Sequence, residues 1–246
     1  MVLAAWWYLF HTRGSMSNMN MPSMEMSGMD MSGMSMPGSQ EWRAMDIFLL
    51  FVMWAVMMVA MMVPSAAPMV LAFLDVNRRR QTAGRPFVPV GIFLAGYLVV
   101  WTAYSAVATL AQWGLHKAAL LSPAMVATSP ILNGGLLIAA GIFQWTPLKR
   151  GCLKGCRSPL SFLMSEWRDG WAGAFIMGLR HGSYCVGCCW VLMALLFVAG
   201  VMNLLWVALI ALFVMAEKTL PRGELLGRVT GVALIAAGVG LMARVW

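Results

Sequence analysis

Six side chains with metal-binding donor atoms fall in two short stretches of this 246-residue chain, Cys152-Leu-Lys-Gly-Cys156 and His181-Gly-Ser-Tyr-Cys185-Val-Gly-Cys188-Cys189. On a helix, side chains three and four residues apart are neighbours. His181, Cys185 and Cys188 therefore share a face at i, i+4 and i+7, with Cys189 at its edge, and Cys152 and Cys156 form a second i, i+4 pair. The 24 residues between the two stretches suffice to return the chain so that the faces meet. Thiolates with one imidazole suit Cu(I) or Zn(II). In a reducing compartment a thiolate-rich set favours Cu(I), with zinc as the alternative. Cysteine is also a small apolar residue that packs well in a core. That reading handles one or two cysteines well, but poorly all five of the chain's cysteines within 38 residues, beside the only histidine inside an apolar run. The C-x-x-C spacing of Cys185 and Cys188 leaves a thiol-redox reading open, and a vicinal Cys188–Cys189 disulfide would be strained.

A second soft donor is abundant. Met16, Met19, Met21, Met24, Met26, Met29, Met31, Met34 and Met36 place nine thioethers in 21 residues, among Ser, Gly, Pro, Asn, Asp and Glu. Such a composition cannot build a core, so residues 15–40 are expected to be flexible, and packing does not explain their methionines. Thioether sulfur is uncharged, needs no deprotonation and selects Cu(I) over hard ions. The segment reads as a copper-capturing tail, or as a low-complexity spacer. Further on, Met53, Met57 and Met61 stand at i, i+4 and i+8, with Met58 and Met62 beside them and Met69 beyond Pro64 and Pro68. This stripe is a candidate copper path, similar in chemistry but not in sequence to the stacked methionines of Ctr-type copper importers. The alternative is plain apolar packing. Pro64 predicts a kink or break over residues 63–68.

The elements that must hold these residues are membrane helices. The chain is 61% hydrophobic and 11% charged, with a mean hydropathy of +0.78. A soluble domain carries about 25% charged residues. Apolar runs cover residues 2–10, 47–74, 89–113, 131–145, 173–201, 204–216 and 229–246. A helix needs roughly 20 residues to cross the hydrocarbon. Only helices or closed barrels can span it, and the runs lack a barrel's alternation. The expected fold is an all-α, polytopic transmembrane bundle of six helices with a seventh in question. Residues 1–14 would be a partial or abbreviated first membrane segment, 15–40 the Met-rich tail and 41–246 the helical domain. Of the 17 basic residues, 13 fall on one side of this topology, in the loops near Arg78, Lys149 and Lys218 together with Arg180. The positive-inside rule puts those loops in the cytoplasm and the Met-rich tail in the periplasm of a bacterial inner membrane. The net charge of +8 is thereby explained without nucleic acid, since no compact basic patch with interleaved aromatics exists. Glycines such as Gly134, Gly135, Gly141, Gly231, Gly238 and Gly240 would permit close helix approach, within one chain or in a homo-oligomer.

The motifs MWAVMMVAMMVPSAAPM (residues 53–69), QWTPLK (144–149), CLKGCRSPL (152–160) and HGSYCVGCCWVLMALLFVAGVMN (181–203), followed by Glu217-Lys218, resemble a bacterial family of predicted metal-binding integral membrane proteins, a domain of unknown function. The resemblance covers residue 41 to the C-terminus. It implies Cys152, Cys156, His181, Cys185, Cys188 and Cys189 as metal ligands. Members typically begin with a full first helix before the methionine tail, from which this chain departs; a missing N-terminal stretch would explain that. The residues themselves lead to copper(I) capture outside and passage through the methionine stripe to the Cys/His site, for a membrane or periplasmic cuproprotein. The alternatives are a metal-holding subunit or assembly factor of a membrane metalloenzyme, and a thiol-redox membrane enzyme. Catalysis is disfavoured by the scarcity of intramembrane histidines and carboxylates. Glu217 and Lys218 are expected to anchor a helix end, pairing with each other, and Gln144 to offer polar atoms near the site.

Overall fold

The computed structural model describes residues 6–7, 43–120, 128–201 and 203–244. The principal helices are α1 (Ala44–Thr82), α2 (Val90–Lys117), α3 (Pro130–Phe143), α4 (Pro147–Arg157), α5 (Pro159–Glu166), α6 (Gly170–Ala194), α7 (Leu196–Ala199), α8 (Leu204–Thr219) and α9 (Gly223–Ala243). Among the described residues there is no strand, as the all-α expectation requires. Of the 2–10 run only Trp6 and Trp7 are described, both helical, and the Met-rich tail lies outside the described residues.

Four segments are long and apolar enough to cross a membrane: α1, α2, α6 continued through α7, and α9. A fifth arises if α3 and α4, bent by 64° at their junction, count as one span. The six-to-seven expectation thus falls to four or five by length and composition among the described residues. The 131–145 run is cut short by the bend. The 204–216 run yields a 16-residue helix, α8, about 24 Å long at 1.5 Å per residue. The bend follows from Gln144-Trp145-Thr146-Pro147. Proline biases the residue before it away from helical geometry, and Thr146 then caps the new helix by accepting from the Lys149 backbone N–H at 3.3 Å. Restarted there, α4 turns Lys149, Leu153 and Cys156 inward, at i, i+4 and i+7, and leaves Arg150 and Lys154 outside. α1, by contrast, runs unbroken through Pro64 and Pro68, so the expected break at residues 63–68 does not occur. Here the Met62 carbonyl accepts from Ser65 Oγ at 2.9 Å and from the Tyr97 hydroxyl at 3.1 Å.

Two glycine-lined contacts set the spacing of the bundle. α2 and α6 meet backbone to backbone. A Cβ at Gly96 would lie 2.9 Å from Leu179 N, one at Gly178 3.1 Å from Tyr97 N, and one at Gly182 3.2 Å from Tyr97 O. Gly178 and Gly182 are a G-x-x-x-G pair, which lets membrane helices approach closely. α3 and α9 meet through Gly134, Gly141, Gly231 and Gly238: a Cβ at Gly141 would lie 2.6 Å from Gly231 O, and one at Gly238 2.7 Å from Gly134 O. Of the other glycines expected in such contacts, Gly135 is looser and Gly240 faces open space. Outside the hydrophobic window, the Trp167 indole and the Arg80 guanidinium bind Asp169 Oδ1 at 2.9 and 2.5 Å, tying the end of α1 to the start of α6. The indole bond first, and the guanidinium after it, hold that carboxyl below the usual carboxylate range.

Gly178→Leu should force α2 and α6 apart and cost at least ~1–3 kcal/mol of stability, the usual range for overpacking. Gly151→Ala, in open space on α4, should be neutral or stabilising by up to ~1 kcal/mol. Thermal unfolding of the two variants in detergent compares them directly; equal melting would refute a backbone contact at Gly178.

Candidate metal centre

The α2–α6 contact decides what surrounds the cysteines. α6 carries His181, Cys185, Cys188 and Cys189, all buried. Because α2 lies so close, Tyr97 reaches across α6, and its hydroxyl stands 3.1 Å from Cys185 Sγ while donating to the Met62 carbonyl. From α8, Lys218 donates through Nζ to Cys185 Sγ at 2.9 Å and to Ser65 Oγ at 3.0 Å. Cys188 and Cys189 direct their thiols at the Cys185 carbonyl, at 3.1 and 2.9 Å. Cys156 of α4 is buried in one core cluster with Cys185, Cys188 and Cys189 of α6. Cys152, half-buried one turn earlier, lies against α6 at Gly187, where an added Cβ would meet its sulfur at 2.7 Å. All five cysteines are free thiols, so the vicinal disulfide is not formed.

His181 sits one helical turn from Cys185 in an aromatic cage. Its ring stacks on Tyr97 at 5.6 Å and Phe93 at 6.0 Å, and Phe162 meets it edge-on at 5.7 Å. Its Nδ1 is buried and has no hydrogen-bond partner among the described residues. A buried ring nitrogen without a partner is rare and calls for a reason. Among the described residues, no group of three or more His, Cys, Asp or Glu side chains is arranged to hold a metal ion. The thiols thus form a close neighbourhood of donors without a preformed polydentate cage. Thiol rotation about χ1 and two-coordinate ligation are both open to it.

The methionine stripe turns inward. Met53, Met57, Met58, Met61 and Met62 are buried in one continuous core cluster with Cys156, Cys185, Cys188 and Cys189. Met69 belongs to a second cluster, with Phe73, Phe93 and Met177. Met16, Met19, Met21, Met24, Met26, Met29, Met31, Met34 and Met36 lie outside the described residues.

Glu217 and Lys218 do not pair with each other. Adjacent helical residues do not face one another, and here they serve separate partners. Glu217 is bound by Lys149 through both oxygens, at 2.6 and 2.8 Å, and Lys149 donates also to Gln144 Oε1. α9 closes over this trio with glycines: a Cβ at Gly231 would lie 2.9 Å from Gln144 Cβ. Arg180, near the cysteine stretch in sequence, is paired with Glu166 at the exterior. Reasoning from sequence missed Tyr97 and Ser65, which carry no signal beyond their place in apolar runs. It also missed Lys149, whose inward placement was legible only as the spacing Lys149, Leu153, Cys156.

The model of the PpoB2 copper chaperone family matches residues 51–241. The chain belongs to this copper chaperone family. No curated protein and no solved structure matches it. Membership of a copper chaperone family makes copper handling the relevant chemistry, and the donors fit it. Thiols, thioethers and an unpartnered imidazole nitrogen are the ligands that soft copper prefers, while the one carboxylate nearby is already committed to Lys149.

Burial makes a direct forecast about thiol access. In the native protein in detergent, a small maleimide should label Cys152 well before the other four, and all five only after unfolding, as read by mass spectrometry of the peptides. Rapid labelling of Cys185 in the folded state would contradict the arrangement.

Proposed function

We propose that the protein is a membrane-embedded copper(I) chaperone of the bacterial inner membrane. Its thiol cluster at the α4–α6 contact holds the ion between capture and delivery, and the ligands are drawn from Cys152, Cys156, His181, Cys185, Cys188 and Cys189. The observation that carries this reading is the single buried core shared by four of those thiols and by the thioethers of Met53, Met57, Met58, Met61 and Met62. A thioether binds Cu(I) without adding charge, so it can pass the ion on. A thiolate holds it more strongly and ends the path. The Met-rich tail would collect Cu(I) on the periplasmic side, and the stripe on α1 would conduct it inward. Delivery to a membrane or periplasmic cuproprotein proceeds by ligand exchange, each sulfur of the client forming its Cu–S bond as one from the chaperone breaks. No net redox change is required, which favours a carrier over an enzyme.

Cu(I) competition titrations against a chromophoric chelator, with purified full-length protein under anaerobic reducing conditions, test the ligand set. Cys185→Ser or Cys188→Ser should weaken Cu(I) binding at least ~10–100-fold, the range lost when even a supporting group of a metal site is removed. Met58→Leu should change it far less. The volume change in Cys to Ser is small, so helix content should persist and loss of metal would not reflect unfolding. Equal copper affinity in Cys185→Ser and the parent protein would refute the assignment.

The tail is separable from the site. Deleting residues 15–36 should leave the tightly bound copper stoichiometry unchanged and weaken cellular copper acquisition only when copper is scarce. Thioethers on a flexible chain exchange readily, whereas thiols on packed helices are pre-organised. Loss of the tightly bound ion on deleting the tail alone would overturn this division.

A further inference from the structure

Lys218 presents an unsolved charge balance. It is buried, and among the described residues no carboxylate pairs with it. Glu217, adjacent in sequence, is bound through both oxygens to Lys149, whose charge it cancels. The Lys218 ammonium instead meets two neutral-looking acceptors, Ser65 Oγ at 3.0 Å and Cys185 Sγ at 2.9 Å. A buried cation without a compensating charge is costly, and breaking such a pair by removing one partner is more costly still. Ser65 cannot supply the charge. Its hydroxyl only fixes the direction of the ammonium, while itself donating to the Met62 carbonyl. The compensating charge has to sit at sulfur.

Copper(I) held by two thiolates supplies it. The ion carries one positive charge and two thiolates carry two negative charges, so the bis-thiolate complex has a net charge of minus one. Any proton displaced from a thiol leaves to bulk water as its S–Cu bond forms, and no electron is transferred. With the Lys218 ammonium beside it the centre is neutral. Zn(II) on the same two thiolates is already neutral, and with Lys218 it would bury a net positive charge.

We propose that Lys218 is the resident counter-ion of a two-thiolate copper(I) centre built on Cys185, and that its fixed charge selects a monovalent ion over a divalent one. This rests on the copper-binding reading given above. The second thiolate comes from Cys156, which α4 buries in the same core cluster as Cys185. Two sulfurs suffice for Cu(I), which accounts for a thiol neighbourhood with no cage of three or more donors among the described residues. Lys218 touches a ligand and not the ion, so it is a positioning residue that acts through charge. Its Nζ, carried by α8, meets Ser65 of α1 and Cys185 of α6, and the Tyr97 hydroxyl of α2 stands against the same sulfur. Among the described residues the nearest other buried charges are Lys149 and Glu217, which are paired with each other.

The test compares Cu(I) and Zn(II) affinities of the full-length protein in detergent, each by competition with a chromophoric chelator, for the parent, Lys218→Met, Lys218→Gln, Lys218→Arg and Cys185→Ser. Removing the charge should weaken Cu(I) binding ~10–100-fold, as for other groups that support metal ligands, while Zn(II) binding is unchanged or tightened. The Cu(I)/Zn(II) preference therefore falls. Lys218→Arg keeps the charge and should retain most of the preference, a rescue that a purely packing role would not give to a bulkier side chain. Lys218→Gln serves if the Met variant does not fold, and thermal unfolding confirms the state of each protein. In Cys185→Ser, adding Lys218→Met should produce no further loss of copper, because the two residues act through one sulfur. Equal weakening of both metals in the Met and Gln variants, or no change in either, would overturn the counter-ion. If the parent binds no Cu(I), or Cys185→Ser binds it as tightly, the chaperone site itself is wrong; if Cys185→Ser loses copper and Lys218→Met does not, only the counter-ion is.

Discussion

The backbone contact between α2 and α6 governs the interior of this molecule. Gly96 on one helix and Gly178 and Gly182 on the other remove the side chains that would hold the two axes apart. In a membrane there is little hydrophobic gain from pressing helices together, so close van der Waals contact over small residues is what selects a partner. From that closeness follow the placement of the Tyr97 hydroxyl over Cys185, the stacking of Tyr97 on His181, and the link from Met62 through Tyr97 to sulfur. A bulkier residue at any of the three glycines would move the cysteine face away from the groups that define it.

Against this apolar frame the buried charges fall into two neighbouring systems. Lys149, Glu217 and Gln144 form one, balanced within itself and sealed by the glycine face of α9. Lys218, Ser65 and Cys185 form the other, in which the ammonium meets a hydroxyl and a sulfur. Consecutive residues at the end of α8 feed the two systems because neighbouring side chains on a helix diverge. Ionisable groups at this depth are expensive, and their retention points to function. The self-contained trio reads as a clamp that fixes the bend between α3 and α4. It thereby sets the face that α4 turns toward α6 and brings Cys156 to its place.

The softness of the donors complements that electrostatic arrangement. Thioethers on α1 and thiols on α4 and α6 share a core in which hard oxygen ligands are absent or committed. Under the reading proposed above, a monovalent soft ion would meet sulfur there with the Lys218 ammonium beside it.

Much of this was legible in the residues alone. Low charge and long apolar runs dictate helices, because an unsatisfied backbone cannot cross lipid. The i, i+4, i+7 spacing of His181, Cys185 and Cys188 dictates a shared face, because helical geometry is local. The density of methionine and cysteine dictates soft-metal chemistry, because donor type is a property of the atom. Other features depended on how helices meet. Among the described residues four or five segments are long and apolar enough to span, because α8 is only 16 residues long and the chain turns by 64° between α3 and α4. Pro64 and Pro68 sit inside an unbroken α1, against the local expectation of a kink or break. The separation of Glu217 from Lys218, and the choice of Cys185 as the sulfur that faces the ammonium, could not be read from spacing. Partners 33 and 68 residues away in sequence decide them, and such contacts exist only once glycine-lined helices have closed against one another.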